Sequence, residues 1–290
     1  MDKFSILLIM LAGTSWGTAG LFSNALYCLG FSPFQVSSGR MLFATVFMLL
    51  FVLLRSPKRM KVRPMSAIPY AVCGISLLGT SCTYYWAMSL TSFSTAVVLM
   101  YTSPIIVTAF SVIFLGERLT PQKVAGILGA LIGCCLVTGI IGNLRFTLFG
   151  IFVGLLSGIF YSIYNLAVKI EMNRGDDPVC TTAYCFIISF IASLFVANPA
   201  ETLAAVAAKP HALLYMAGMG FFIGAFPYLI YTFAMRKIPA GVASSMSCVE
   251  PMVATIVSVL FMHETLTVFS AIGILLILGS VMLLSREKTN

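Results

Sequence analysis

The sequence predicts an all-α polytopic membrane protein: ten transmembrane helices in two inverted five-helix repeats. Three observations lead there. First, 60% of the residues are hydrophobic, 9% are charged and the mean hydropathy is +1.03, whereas a soluble domain is about 45–50% apolar and about 25% charged. There are too few polar side chains to cover a water-exposed surface. Second, the chain divides into ten apolar segments of the length needed to span a bilayer, about 20 residues each. Third, residues 84–137 match the C-terminal end at a fixed offset of 147. Tyr84 falls on Tyr231, Ala87 on Ala234, Met88 on Met235, Pro104 on Pro251, Thr108 on Thr255, Ser111 on Ser258, Phe114 on Phe261, Glu117 on Glu264, Thr120 on Thr267 and Gly126 on Gly273. Apolar composition alone gives chance matches of Leu, Ile and Val; it does not align Pro, Glu and Thr at one offset. The unit is therefore duplicated.

The ten segments are 4–27, 34–54, 68–90, 95–115, 122–141, 147–170, 179–198, 212–234, 241–262 and 268–285. The start, MDKFSILLIM, has the look of a signal peptide but reads better as the first spanning helix. Thr120-Pro121 and Asp177-Pro178 each offer an N-cap followed by proline at the first helical position. Connections are short except 55–67, 171–178 and 199–211. With the N-terminus in the cytoplasm, fourteen of the seventeen Lys and Arg residues fall inside, including Lys123, Lys169, Arg236 and Lys237, and only Arg145 and Lys209 fall outside. The positive-inside rule thus predicts a cell-membrane protein with both termini cytoplasmic. It also accounts for the net charge of +8 without invoking nucleic acid. Five helices per repeat is an odd number, so the second copy is inverted. Inverted repeats enclosing a midplane site are the build of many secondary transporters.

The runs SPIIVTAFSVIFLGERLTPQKVAGILGALIGCCLV and EPMVATIVSVLFMHETLTVFSAIGILLILGSVML each resemble the end of an EamA-type unit of the drug/metabolite transporter superfamily. The resemblance covers two tandem units, 5–138 and 148–285. It implies a bundle around a central cavity, and export or exchange of small metabolites such as amino acids or amines. A multidrug or cation exporter is the alternative. A membrane enzyme is less favoured, because there is no HExxH and no pair of intramembrane aspartates; a channel or scaffold is less favoured, because it has no need of two inverted copies joined at a midplane. No cofactor motif and no Cys/His metal cluster occurs, and of the eight cysteines Cys28, Cys73, Cys82, Cys134, Cys135, Cys185 and Cys248 read as small buried hydrophobes. The expected partners are a small-molecule substrate, a possible coupling proton and the lipid bilayer, with the chain a monomer or homodimer.

Candidate cavity residues follow from polar or aromatic character at membrane depth. Glu250 lies nine residues after Gly241, near the middle of a hydrocarbon core about 30 Å thick. A carboxylate there is costly unless paired, hydrated or protonated. It reads either as a structural partner of Arg40 or of neighbouring Asn and Tyr residues, or as a group that binds a substrate amine or carries a proton. Its repeat equivalent is Ser103. Arg40 either snorkels outward or attracts a carboxylate. Trp16 and Asn24 share a helical face at i and i+8; Tyr161 and Asn165 share one at i and i+4. Tyr84, Tyr85, Trp86, Tyr101, Tyr164, Tyr228 and Tyr231 complete the aromatic set from which a lining able to hold amino acids, amines or cations is expected. Pro104 and Pro251, inside the fourth and ninth helices, are either static kinks or paired hinges that free the carbonyls of Met100 and Ser247. The glycines at 13, 17, 154 and 158 read as close-packing positions. Glu117 and Glu264 are expected to satisfy backbone groups at the starts of the fifth and tenth helices. Lys169, Arg236 and Lys237 are expected to snorkel to headgroups.

Overall fold

Apolar segments that must satisfy their own backbone in lipid can only be helical or form closed barrels, and this chain is helical. A computed structural model describes residues 2–55, 66–91, 93–138, 147–261 and 267–286. Most of the 55–67 connection, together with Arg145, His263 and Glu264, lies outside the described residues. The helices are α1 (Lys3–Trp16), α2 (Ala19–Cys28), α3 (Pro33–Arg55), α4 (Ala67–Leu90), α5 (Phe93–Met100), α6 (Ser103–Leu115), α7 (Pro121–Val137), α8 (Leu148–Asn173), α9 (Pro178–Ser193), α10 (Pro199–Ala208) and α11 (Ala212–Gly218). A π-helical segment (Met219–Ala225) follows, then α12 (Phe226–Met235), α13 (Ala240–Met246), α14 (Val249–Phe261) and α15 (Val268–Ser285). Among the described residues, seven helical stretches are long and apolar enough to cross a membrane. The expected caps are made: the Thr120 side chain accepts from Lys123 N, and that of Asp177 accepts from Val179 N and Cys180 N.

Two features depart from the expected rods. The 199–211 connection contains the helix α10, none of whose residues is buried. More consequentially, four rods are interrupted. α1 gives way to α2 at Gly17-Thr18, α5 to α6 at Tyr101-Thr102, and α13 to α14 at Ser247-Cys248. The α11–α12 rod passes through the π segment before Pro227. Pro104 and Pro251 therefore stand near the starts of α6 and α14, not inside continuous helices, where a missing N–H costs little. Proline at 227 cannot bond the carbonyl four residues back, and a π turn absorbs that mismatch.

The two halves interlock at these interruptions. α1 packs on α12, α13 and α14, while α8 packs on α4, α5 and α6. Glycine makes the approach possible. A Cβ at Gly17 would sit 2.8 Å from the Glu250 carbonyl oxygen; one at Gly158 would sit 3.1 Å from the carbonyl oxygens of Leu99 and Met100. α7 and α15, matched by the offset of 147, pack closely and antiparallel: Gly126 faces Leu284, Gly129 faces Ser280 and Gly133 faces Ile277. Gly17 and Gly20 provide a contrast on neighbouring turns, because a Cβ at Gly20 meets nothing within 4 Å. Gly17→Ala should cost about 1–3 kcal/mol through overpacking, read as lowered thermal stability in detergent, while Gly20→Ala should leave it unchanged. Equal effects would remove the close approach of α1 to α14 as an element of stability.

Candidate functional site

At membrane depth, irregular backbone is tolerated where protein buries it or a cavity takes it up. The interrupted rods converge on such a cavity, of about 40 Å³. Its walls come from Trp16 of α1, Ala19 of α2, Arg40 of α3, Thr80, Ser81, Tyr84 and Tyr85 of α4, Met100 of α5, Tyr161 of α8, Ile223 of the π segment, Tyr228 of α12 and Glu250 of α14. Ligand sites usually enclose about 300–1,000 Å³. The cavity in this form has room for a few waters.

Two residues of opposite formal charge face this space without a direct ion pair. Arg40 is 5% exposed and Glu250 8%, yet no ion pair joins them among the described residues. The Arg40 guanidinium lies 5.9 Å from the centroid of the Tyr85 ring, at the reach of a cation–π contact, and its Nε has no hydrogen-bond partner. Glu250 is held from behind: the Tyr101 hydroxyl is 2.7 Å from its Oε2 and 2.8 Å from the Ser247 carbonyl oxygen. That carbonyl is the one Pro251 cannot engage. It also accepts from Glu250 N at 2.9 Å, so the helix interruption and the position of the carboxylate are fixed by the same contacts. The Trp16 Nε1 and Tyr84 hydroxyl are buried and unpartnered as well.

An aromatic frame stiffens the wall. Tyr228 meets Trp16, Tyr164 and Phe186 edge-on at 5.0, 5.4 and 5.5 Å. The Tyr231 hydroxyl donates to Asn165 Oδ1 at 2.5 Å, and Asn165 Nδ2 donates to the Tyr161 carbonyl at 2.7 Å.

Of the residues singled out in the sequence, Trp16, Arg40, Tyr84, Tyr161, Tyr228 and Glu250 stand together around the cavity. Tyr101 and Asn165 stand one layer behind it. Ser103 is fully buried, with an unpartnered Oγ, and does not line it. Asn24 is exposed on α2; the interruption at Gly17-Thr18 breaks the i, i+8 register that would have placed it beneath Trp16. Trp86 packs between Phe34 and Phe149 at ring distances of 5.8 and 5.4 Å, away from the cavity. Tyr85, beside Tyr84 in the aromatic run, also lines the cavity; Ala19, Thr80, Ser81, Met100 and Ile223 escaped sequence reasoning, and Ile223 depends on the π segment and carried no signal.

Two electrostatic expectations are corrected. Glu117 does not serve the start of α7. One of its oxygens pairs with Lys123 Nζ at 2.6 Å, and the other accepts from the backbone N of Ala240, at the start of α13, at 3.0 Å. Lys123 is 1% exposed. Lys169 does not snorkel: its buried ammonium donates to the carbonyls of Met235 and Ile238 at 2.8 and 2.9 Å, closing the end of α12. Arg236 and Lys237 are exposed. The cysteines are free, and Cys28 is exposed, not buried.

Helices too apolar for water, interrupted around a small polar cavity, make a multi-pass integral membrane protein, and comparison with known proteins identifies it as a transporter. The chain belongs to the EamA-like transporter family, whose model matches residues 3–139 and 148–286, within the drug/metabolite transporter superfamily. It is a transporter and not an enzyme. An uncharacterized transporter of Clostridium kluyveri is 28% identical over 228 residues, covering 75% of this chain and 72% of its own. One of Archaeoglobus fulgidus is 25% identical over 293 residues, covering 99% and 100%. A solved crystal structure, 18% identical, superimposes with a TM-score of 0.78 over 98% of this chain and 96% of its own, which shows a shared fold.

Proposed function

We propose that the protein is a secondary transporter of small zwitterionic or cationic metabolites, amino acids and amines among them, moving them by efflux or exchange through alternating access to the cavity. The observation that carries this reading is a buried Arg40 and a buried Glu250 facing one space with no ion pair between them. Buried opposite charges ordinarily pair, since an unpaired buried charge is costly. A ligand bearing both a carboxylate and an ammonium would complete both. Trp16, Tyr84, Tyr161 and Tyr228 then hold its side chain or its cationic end, with Tyr101, Asn165 and Ser103 supporting them and Pro104 and Pro251 marking the hinges. Asn24 and Trp86, named from the sequence, are left out of the proposed site on the strength of their placement.

The frame is read as ten transmembrane helices in two inverted units, 5–138 and 148–285, around the central cavity, with both termini cytoplasmic in the cell membrane. The antiparallel pairing of α7 with α15 supports the inversion, and the Lys/Arg distribution supports the orientation. A proton is the proposed coupling ion, with Glu250 its carrier, and the working unit is a monomer or homodimer.

Counterflow in proteoliposomes with a panel of radiolabelled amino acids, amines and acids tests the reading. Saturable exchange of a zwitterion or amine is expected. Exchange restricted to anions, or flux that never saturates, would overturn it.

A further inference from the structure

A polar junction lies at the end of the bundle that carries Lys237. There a carboxylate from the first half of the chain bonds a backbone amide of the second. Gly116 ends α6 in the left-handed region, with φ 68°, and the chain turns there to present Glu117. One Glu117 oxygen takes the Lys123 ammonium, from its own half, at 2.6 Å. The other takes the N–H of Ala240, from the other half, at 3.0 Å. α13 begins at Ala240, is buried along its whole length, and ends at the Ser247 interruption beside Glu250. Its seven residues span about 10 Å, so the carboxylate and the cavity wall are opposite ends of one short rigid element. Gly241, the next residue, is pressed against α6: a Cβ there would overlap Thr108. At the same end, Lys237 lies 3.5 Å from Asp2, the N-cap of α1.

We propose that Glu117 is a gate residue: its bond to Ala240 N latches α13 to the α6–α7 turn and closes the cavity toward the face that bears Lys237. The proposal rests on the reading that access to this cavity alternates. Lys123 is what makes the contact a latch and not a rivet. When Ala240 N–H leaves, Glu117 keeps its buried cation, so opening does not strand an unpaired carboxylate, whose cost would be several kcal/mol. Release sacrifices one hydrogen bond to a charged acceptor, and α13 becomes free to swing with the part of α14 that carries Glu250. A fixed structural staple needs no such neutralising partner on one side only.

The test places a reporter on the path between latch and cavity. In a full-length chain with its native cysteines replaced, Ser244→Cys, buried in α13, is exposed to a membrane-impermeant maleimide applied from the Lys237 face in oriented vesicles. A charged-acceptor hydrogen bond contributes about 1.5–3 kcal/mol, so Glu117→Ala should raise the labelling rate about tenfold or more. Glu117→Gln, which keeps an amide acceptor but loses the ion pair, should raise it less. Labelling from the opposite face should not rise. If Ser244→Cys does not fold, Ser245→Cys on the same buried helix serves. Unchanged labelling with a lowered unfolding temperature would make the contact a static staple and overturn the proposal. Labelling needs no substrate, so the latch can stand when counterflow fails for every compound, and it can fall while counterflow succeeds.

Discussion

Glu250→Gln should still exchange substrate across the membrane but fail to concentrate it under a pH gradient. The variant keeps the shape of the site and an acceptor for the Tyr101 hydroxyl, which lies 2.7 Å from Glu250 Oε2. It removes only the charge and the capacity to bind a proton. A charge at the centre of a bilayer costs about 2.5–3.5 kcal/mol even on the lenient insertion scales, so retaining a carboxylate here, where the other half of the chain has Ser103, calls for a use. Measurement of uphill transport and counterflow on the same proteoliposomes checks this. Loss of accumulation with counterflow intact assigns the proton to Glu250. Full accumulation with an unaltered pH profile would make Glu250 structural.

Arg40→Gln should cost about 10- to 100-fold in affinity for a carboxylate-bearing substrate, the range of a hydrogen bond to a charged group, about 1.5–3 kcal/mol. The same variant should bind the corresponding amide as the parent does. Direct binding of the acid and its amide by the purified protein separates the cases. Equal losses would assign Arg40 to the packing of α3 against Tyr85 and Tyr228. This is the second-largest effect expected, and it differs in kind from the first. Arg40 acts on affinity through one end of the ligand; Glu250 acts on coupling.

The all-helical membrane fold and the doubled unit were legible in the sequence, for physical reasons. A membrane helix needs length and apolarity, both visible in composition, and duplication leaves fixed-offset matches at residues such as Pro104 and Pro251. The two charged residues of the cavity were legible too, because Arg40 and Glu250 stand out against an apolar background. What could not be read was the interruption of helices. Gly17-Thr18 and Tyr101-Thr102 carry no breaking signal strong enough to end a rod, and Pro251 was assigned to a helix interior. Once α1 stops at Trp16, the periodicity that placed Asn24 in the cavity no longer applies. The misreading of Lys169 and Glu117 has a related cause. Charge at the end of an apolar run ordinarily points to headgroups, and only tertiary packing reveals that Lys169 closes α12 and that Glu117 reaches the start of α13. Sequence spacing gives neighbours along one helix and is silent about carbonyls and amides on another.

The central claim is that the cavity at the junction of the interrupted helices is the substrate site and opens alternately to the two faces. A single cysteine at Ser81, which lines that cavity, in a chain otherwise free of cysteine, tests it most directly. The reporter is probed with an impermeant thiol reagent from each face in turn, with and without the compound identified by counterflow. The account predicts labelling from both faces, slowed from either one by the transported compound. Labelling from one face alone, or labelling from both that the transported compound leaves unchanged, would contradict it.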